Sequence, residues 1–179
     1  MSFPGGRRVP VRAERVRTER LELVPLRVEH AREMAGVLAD PGLHVFIGGE
    51  PLDEDGLRAR YERLVGGSGE AGVSWCNWVL RVRSGGRLAG TVQATVRGRE
   101  TAEIAWVVGT AWQGRGFASE AARALVALLG RAGVGTVVAH IHPGHHASAA
   151  VATAAGLAPT GEVQDGETVW RGTAPAPER

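Results

Sequence analysis

The stretch from Gln113 to Ser119 joins a glycine-rich bend to the beginning of a predicted helix, and such a junction can bind an anion. Gly114 and Gly116 let a ligand approach the backbone closely. The first N–H groups of a helix have no intrahelical acceptor, and the helix dipole adds partial positive charge at the same end. The pattern therefore predicts a phosphate-binding loop, with a tight turn before a helix as the alternative.

An acidic side chain precedes this loop on a predicted strand. Between Thr101 and Val108 the apolar residues alternate with more polar ones, and Glu103 lies on the polar side. A carboxylate in that position could take up a proton during a reaction. The alternatives are a glutamate at the sheet surface and a member of a structural ion pair.

Histidines follow in a short segment and raise the question of a metal site. His140 and His142 share one face of a predicted strand, and His145 and His146 come soon after it. Zinc sites use three or four converging ligands. The single cysteine, Cys76, excludes a multi-cysteine zinc site and an intramolecular disulfide. The sequence therefore predicts no metal, and a role for His142 as a base or substrate contact is favoured over zinc.

The elements that position these residues predict an α+β fold with a mostly antiparallel sheet. The periods of the apolar residues give the order β-α-α-β-β-β-α-β-α-β-β. The predicted strands are Thr18–Leu26, Trp75–Arg83, Arg87–Val96, Thr101–Val108, Thr136–Ile141, Leu157–Val163 and Glu167–Arg171. The predicted helices are Glu29–Ala39, Asp53–Val65, Ser119–Leu129 and Ala147–Ala155.

Length and composition are those of one globular domain. The chain has 179 residues, 44% hydrophobic and 22% charged, and its net charge of +2 does not predict a nucleic-acid partner. We expect a flexible basic tail over residues 1–16, a single domain over 17–172 and a flexible tail over 173–179. The arginines of the first tail favour a solvated terminus over a phosphate-binding arm.

Localisation is predicted from what the sequence lacks. No apolar run is long enough to span a bilayer, and the N-terminal arginines are not followed by the apolar core of a secretory signal. The lone cysteine fits a reducing compartment. These observations predict a cytoplasmic protein without a membrane partner.

Short motifs occur in the order and spacing of a known family. They are Thr18-Glu19-Arg20-Leu21-Glu22-Leu23, Ala102-Glu103-Ile104-Ala105-Trp106, Gln113-x-x-Gly116-x-Ala118 and His145-His146-Ala147-Ser148. Together they resemble the GNAT superfamily of N-acetyltransferases, over about Thr18 to Arg171. The first two resemble strands of the branch that acetylates the N-termini of ribosomal proteins. The third matches the acyl-CoA signature Q/R-x-x-G-x-G/A, and the fourth stands where the family usually has N-x-x-S.

The resemblance implies acetyl-CoA as the cosubstrate and implies which residues bind it. Backbone N–H groups of the glycine-rich loop would hold the pyrophosphate, and Arg115 could add a charged contact or remain solvated. The backbone of the preceding strand would hold the pantetheine arm, with the N–H of Val108 polarising the thioester carbonyl. The implied cofactor-binding residues are Trp106, Val107, Val108, Gln113, Gly114, Arg115, Gly116, Phe117, Ala118, Ser119 and His145.

The resemblance also implies direct attack of a primary amine on the thioester. Glu103 is the implied base, and Ser148 is the implied partner of the leaving thiolate. The alternative for Ser148 is a helix-start residue that satisfies backbone N–H groups. Many family members have a tyrosine on this helix, and its position matches Ala152. The segment His44–Gly49 would border the acceptor cleft.

The expected function is therefore that of an N-acetyltransferase. The expected partner is an amine acceptor, either a protein or peptide N-terminus or a small molecule such as an aminoglycoside, and a homodimer is possible. Two alternatives remain open. One is a non-catalytic GNAT-like module that binds CoA as a sensor or interaction surface, and the other is a protein of this fold that no longer binds CoA.

Overall fold

The computed structural model describes residues 10–176 and places a sheet at the centre of the molecule. The strands are β1 (Val16–Arg17), β2 (Leu21–Pro25), β3 (Val73–Val82), β4 (Leu88–Arg97), β5 (Thr101–Val108), β6 (Thr136–Ile141), β7 (Ala158–Gln164) and β8 (Glu167–Thr173). The helices are α1 (Ala31–Val37), α2 (His44–Ile47), α3 (Glu54–Gly66), α4 (Phe117–Arg131) and α5 (His146–Ala154). Short 3-10 turns precede α1, α2 and α4 at Val28–His30, Pro41–Leu43 and Thr110–Trp112.

The strands lie side by side in the order β1-β2-β3-β4-β5-β6-β8-β7. Strands β5 and β6 form the one parallel pair within residues 10–176. A parallel pair needs a crossover connection, and α4 supplies it between β5 and β6. The α+β class with a mostly antiparallel sheet, predicted from the sequence, is confirmed.

Strands β5 and β6 pair only at their beginnings and then separate. Their register joins Thr101–Glu103 to Thr136–Val138, although β5 continues to Val108. The carbonyl of Glu100 accepts a hydrogen bond from the N–H of Thr136 at 2.9 Å, so Glu100 turns its backbone toward β6. The backbone N–H and C=O groups of every second residue in a strand point to the same side, so those of Ile104 and Trp106 also point toward β6. They lie beyond the last pair, and their backbone groups therefore face the gap.

Helices cover both faces of the sheet. Helices α4 and α5 pack with the larger core cluster, which includes Ala102, Ile104 and Ala139. Helices α1 and α3 pack on the opposite face with a smaller cluster that includes Val79 and Leu57. Since successive strand side chains alternate between faces, polar residues between the members of the larger cluster lie on the α1–α3 face.

Helix boundaries differ from the sequence prediction where capping residues intervene. The helix predicted over Glu29–Ala39 begins as a 3-10 turn, and α1 ends at Val37. Asp40 starts the next turn instead, because its carboxylate accepts a hydrogen bond from the N–H of Gly42 at 2.8 Å. The helix α2 and the two-residue strand β1 were not predicted, since neither is long enough to show a period.

Packing extends past the predicted domain limits of residues 17 and 172. Val11 and Ala13 contact the larger core cluster, and the carbonyl of Glu14 accepts a hydrogen bond from the Trp78 indole at 2.7 Å. Ala174 is buried, and its N–H donates to the carbonyl of Gly135 at 3.0 Å. The remaining parts of the two predicted tails, residues 1–9 and 177–179, lie outside the described residues. None of the helices within residues 10–176 has the length and apolar content to cross a bilayer.

Candidate active site

The glycine-rich loop leads into α4 as the sequence predicted. Gly114 and Gly116 have φ values of 75° and 78°, in the left-handed region that favours glycine, and α4 begins at Phe117. Among residues 10–176, no group accepts a hydrogen bond from the backbone N–H of Gly114 through Ser119. The loop therefore offers a set of unpaired donors at the N-terminus of a fifteen-residue helix.

Side chains from the beginning of the chain hold this loop in place. The carboxylate of Glu120, in the first turn of α4, accepts hydrogen bonds from the Thr18 hydroxyl at 2.6 Å and the Arg20 N–H at 2.7 Å. The Arg20 guanidinium donates to Glu120 at 2.7 Å and to the carbonyl of Arg115 at 2.6 Å, and it lies 4.9 Å from the ring centre of Phe117. Thr18 and Arg20 thus fix the position of the loop.

The ion pair between Arg20 and Glu120 stays charged at neutral pH. Burial acts to raise the pKa of Glu120, but the hydrogen bonds from Thr18 and Arg20 outweigh it and lower the pKa below its ordinary value. The other arginine of the loop, Arg115, lies over the Trp112 ring and donates to the carbonyl of Ala111 at 3.2 Å. Arg115 is exposed.

The amide of Gln113 connects the loop to the end of β5. Its Nε2 donates to the carbonyl of Val108 at 3.0 Å. The loop is therefore held against the end of β5, which contains Trp106, Val107 and Val108, the residues predicted to hold the cofactor arm. These three residues lie where β5 has separated from β6, so the unpaired donors and the gap in the sheet are adjacent.

A cavity of about 540 Å³ lies on the α1–α3 face of the sheet. Its floor consists of polar side chains that alternate with members of the larger core cluster. Asn77 and Gln93 face each other across β3 and β4, Thr91 lies two residues before Gln93, and Glu103 and His140 come from β5 and β6. Its walls come from α3 and from the segment between α2 and α3.

Glu103 and His140 form a pair at the edge of this cavity. The Nδ1 atom of His140 lies 3.2 Å from Oε1 of Glu103. The Glu103 side chain is 51% exposed and that of His140 is 21% exposed. Glu103 is in register with Val138, so His140, two residues on, lies on the same face of the sheet. The sequence left a polar partner of Glu103 unassigned, and the structure brings the His140 ring within hydrogen-bond distance of its carboxylate.

Comparison with known proteins identifies the family. The family model of the acetyltransferase (GNAT) domain matches the chain over residues 20–158. This range includes the loop, the gap between β5 and β6 and the Glu103–His140 pair. The chain belongs to the GNAT acetyltransferase family. No protein of curated function matches its sequence.

Solved structures of acetyltransferases share the fold. A GNAT-family acetyltransferase from Bacillus anthracis has a TM-score of 0.72 and 20% identity, over 89% of this chain and 96% of the other. The ribosomal L7/L12 alpha-N-protein acetyltransferase RimL, in complex with coenzyme A, has a TM-score of 0.70 and 17% identity, over 91% and 98%. Spermidine N-acetyltransferase from Vibrio cholerae, in complex with CoA and spermine, has a TM-score of 0.71 and 14% identity, over 88% and 97%.

These identities show a common fold. The likeness to a ribosomal-protein acetyltransferase is matched by an equal likeness to a spermidine acetyltransferase. The match to the family model confirms the predicted GNAT family, and the ribosomal-protein branch is only one of several structural relatives.

In this GNAT acetyltransferase, His145 lies in the cavity lining and stacks on an aromatic side chain. The His145 and Phe46 rings are nearly parallel, with centroids 4.2 Å apart, and the His142 ring lies 5.4 Å from Phe46 at a tilt. Burial, and to a smaller extent His142, lowers the pKa of His145, so its ring is neutral at neutral pH. The segment His44–Gly49 thus borders the cavity, as expected, and its Phe46 contacts the beginning of α5.

Ser148 lines the same cavity from α5. Its residue is 9% exposed, and no described group forms a hydrogen bond with its hydroxyl. The N-cap of α5 is His145, so the alternative of Ser148 as a helix-start residue that satisfies backbone N–H groups is wrong. Ala152, one turn further on, is fully buried.

Tyr61 is a cavity residue that the sequence did not single out. Its spacing from Leu57 and Leu64 on α3 predicts a core position, and the residue is indeed only 3% exposed. Its hydroxyl is buried and has no hydrogen-bond partner among the described residues. Burial raises the pKa of Tyr61 to about 12, so the hydroxyl is neutral at neutral pH. A lone tyrosine on an apolar helix face carries no sequence signal of this kind.

Metal ligation finds no support in the part of the chain that the structure describes. Within residues 10–176, no group of three or more His, Cys, Asp and Glu side chains converges as metal ligands would. Cys76 is buried in the larger core cluster, and burial raises the pKa of its thiol to about 11, so it is not a reactive thiolate.

Replacing Arg20 by glutamine tests the role of Arg20 as a positioning residue. We expect the Arg20→Gln variant to lose about 1–2 kcal/mol of unfolding free energy, because the ion pair is partly exposed and two charged hydrogen bonds are lost. We also expect about a fivefold to tenfold weaker affinity for CoA, since the loop is no longer held. Thermal melts and calorimetry measure the two effects.

Arg87→Gln is the matched control for this variant. Arg87 pairs with Glu33 at 3.5 Å on the surface, with side chains 71% and 41% exposed, and α1, which carries Glu33, packs on the face of the sheet opposite α4. Its loss should cost less than about 0.5 kcal/mol and leave CoA affinity unchanged. If Arg20→Gln also left CoA affinity unchanged, the loop would keep its shape without Arg20.

Proposed function

We propose that this protein transfers the acetyl group of acetyl-CoA to a primary amine on an acceptor that binds in the cavity. The observation that carries the proposal is the Glu103–His140 pair, which faces the cavity where β5 and β6 separate. A proton acceptor there would lie between the acceptor cavity and the strand that leads to the cofactor loop. The GNAT family supplies the class of reaction.

The loop before α4 has the features that CoA binding needs. The pyrophosphate would lie against the unpaired N–H groups of the segment from Gln113 to Ser119, where Gly114 and Gly116 leave the backbone uncovered. The pantetheine arm would lie along the backbone of Trp106, Val107 and Val108. The N–H of Val108 would polarise the thioester carbonyl. When bound, acetyl-CoA supplies an activated acyl carbon for attack by an amine.

Glu103 would accept the proton of the attacking amine. A primary amine with a pKa of about 10 is mostly protonated at neutral pH and must lose a proton before it can attack. The carboxylate of Glu103 faces the cavity and is half-exposed, so it can receive this proton directly or through one water molecule. His140 would hold the carboxylate in position through Nδ1 or pass the proton on.

Ser148 would assist the departure of the CoA thiolate. Its hydroxyl lies in the cavity lining without a described hydrogen-bond partner, so it is available to donate. Ala152 stands where many family members have a tyrosine, but it cannot take this role because its side chain carries no polar group. His145, beside Ser148 at the start of α5, would contribute to the cofactor side through its neutral ring.

The acceptor could be a protein N-terminus or a small-molecule amine. The first class is supported by the resemblance of β2 and β5 to the ribosomal-protein branch and by the fold shared with RimL. The second is supported by the fold shared with the spermidine enzyme and by a cavity of small-molecule size.

Incubation with acetyl-CoA and a panel of amines tests the proposed function. The panel contains a peptide with a free N-terminus, spermidine, an aminoglycoside and simple arylalkyl amines, and thiol release is followed above the rate without acceptor. We expect release with at least one acceptor. If calorimetry shows CoA binding but no acceptor is turned over, a non-catalytic CoA-binding module is favoured. Failure to bind CoA would contradict both the acetyltransferase and the non-catalytic module.

A further inference from the structure

The cavity has an inner end that the proposed chemistry does not use. Leu26, Leu38, Leu57, Tyr61 and Leu64 line it and also belong to the smaller core cluster or pack against it. These side chains come from α3 and from the segments that flank α1. They present an apolar surface to whatever enters the cavity, and the Tyr61 hydroxyl is the one polar side-chain atom among them.

The Tyr61 hydroxyl lacks the partner that a buried polar group normally has. Its oxygen atom is buried and forms no hydrogen bond with the described residues. Buried polar groups are nearly always paired, because a missing hydrogen bond costs free energy. The residue is 3% exposed and belongs to the cavity lining. A neutral hydroxyl can both donate to and accept from a neutral group.

The charges around the cavity favour a positive charge near its exposed side. Glu50, Glu103 and Glu167 line it, and Arg60 is the one arginine or lysine among the described lining residues. Glu50 and Glu103 are exposed and Glu167 is half-buried. The leucines of the inner end provide no counter-charge, and a second ammonium group there would be desolvated without a partner. This arrangement fits an acceptor whose amine lies at the exposed side and whose body at the inner end is apolar.

We infer that the acceptor is a small monoamine with an apolar body and one neutral hydrogen-bonding group, which pairs with the hydroxyl of Tyr61 while the amine lies near Glu103. The inference rests on the proposed function and narrows its acceptor to one class. The apolar body occupies the leucine-lined end. A volume of about 540 Å³ accommodates a molecule of this size.

Tyr61→Phe tests the inference, because it removes one oxygen atom and keeps the ring. The probes are two pairs of amines that differ by one hydroxyl, tyramine with phenethylamine and 6-amino-1-hexanol with hexylamine. In each pair, the amine without a hydroxyl is the control. Tyr61 is the single tyrosine of the chain, so the substitution removes its one phenolic hydroxyl. Spermidine and a short peptide with N-terminal alanine represent the competing classes. We measure kcat/KM for each acceptor and the melting temperature of both proteins.

We expect the hydroxylated member of at least one pair to be the best acceptor of the wild type. In Tyr61→Phe its kcat/KM should fall about tenfold, the effect of one hydrogen bond, while the member without the hydroxyl is unchanged. The melting temperature should not fall, because the lost hydroxyl has no partner in the unliganded protein. A higher kcat/KM for spermidine or the peptide, or equal effects of the substitution on both members of each pair, would overturn the inference.

The failure of the proposed function would look different. In that case no acceptor releases thiol, but amine binding can still be measured by calorimetry on the CoA-loaded protein. Tighter binding of a hydroxylated amine that is weakened about tenfold by Tyr61→Phe would support the assigned acceptor class. Equal affinities within both pairs would overturn it.

Discussion

The Glu103→Gln variant is expected to lose kcat by about 100-fold to 1,000-fold, the usual contribution of a positioned general base. Glutamine has nearly the same shape and can keep a hydrogen bond to His140, but it cannot take up the amine proton. We expect the loss to be in kcat rather than in the affinity for CoA, because Glu103 lies on the cavity side of the sheet. Steady-state kinetics and calorimetry separate the two quantities.

The pH profile gives a second readout of the same substitution. A proton acceptor in the reaction makes kcat/KM depend on pH, and we expect this dependence to change in Glu103→Gln. An unchanged profile and an unchanged kcat would place the base elsewhere. A substitution that only loosened the structure would lower the melting temperature and leave the shape of the profile intact.

Glu100→Gln is the matched control for Glu103→Gln. Glu100 precedes the same strand and is exposed, and its side chain does not line the cavity. We expect it to retain the rate of the wild type within about twofold, as surface substitutions usually do. His140→Gln then distinguishes two roles. A loss as large as that of Glu103→Gln makes His140 part of the proton path, and a smaller loss makes it a positioning residue.

The faces of the strands could be predicted from the sequence, but the partners on those faces could not. Alternation along Thr101–Val108 correctly puts Glu103 opposite the apolar side of β5. Its contact with His140 depends on the parallel register of β5 and β6, which pairs Glu103 with Val138 across a helical crossover. No local pattern encodes that register, so the sequence presents His140 only as one of several neighbouring histidines.

Sequence patterns predict only one of the two roles where a single residue has two. The spacing of Tyr61 with Leu57 and Leu64 predicts a buried ring, and the ring is buried. The same spacing says nothing about the hydroxyl, whose missing partner is visible only in three dimensions. Arg20 is similar, since its motif indicated a strand. Its bonds to Glu120, 100 residues away, show that it also holds the glycine-rich loop.

The Gly116→Trp variant is expected to bind CoA about 100-fold more weakly, or worse. Gly116 has a φ of 78°, and a Cβ atom there would lie 3.2 Å from Nη2 of Arg20, so a large side chain must move the loop or cover its unpaired N–H groups. Each charged hydrogen bond to a phosphate contributes about 1.5–3 kcal/mol, and the loss of two accounts for a change of this size. Calorimetry with CoA measures the affinity directly.

Gly156→Trp controls for backbone strain in this experiment. Gly156 follows α5 with a φ of 87° and has open space where a Cβ atom would lie, so both variants incur about 1–2 kcal/mol for a left-handed conformation. Only Gly116→Trp also blocks the donors before α4, and only it should lose CoA. Equal affinities in the two variants, both folded by circular dichroism, would mean that the pyrophosphate lies elsewhere. A selective loss at Gly116 would instead localise the phosphate contacts to the turn that Arg20 and Glu120 support.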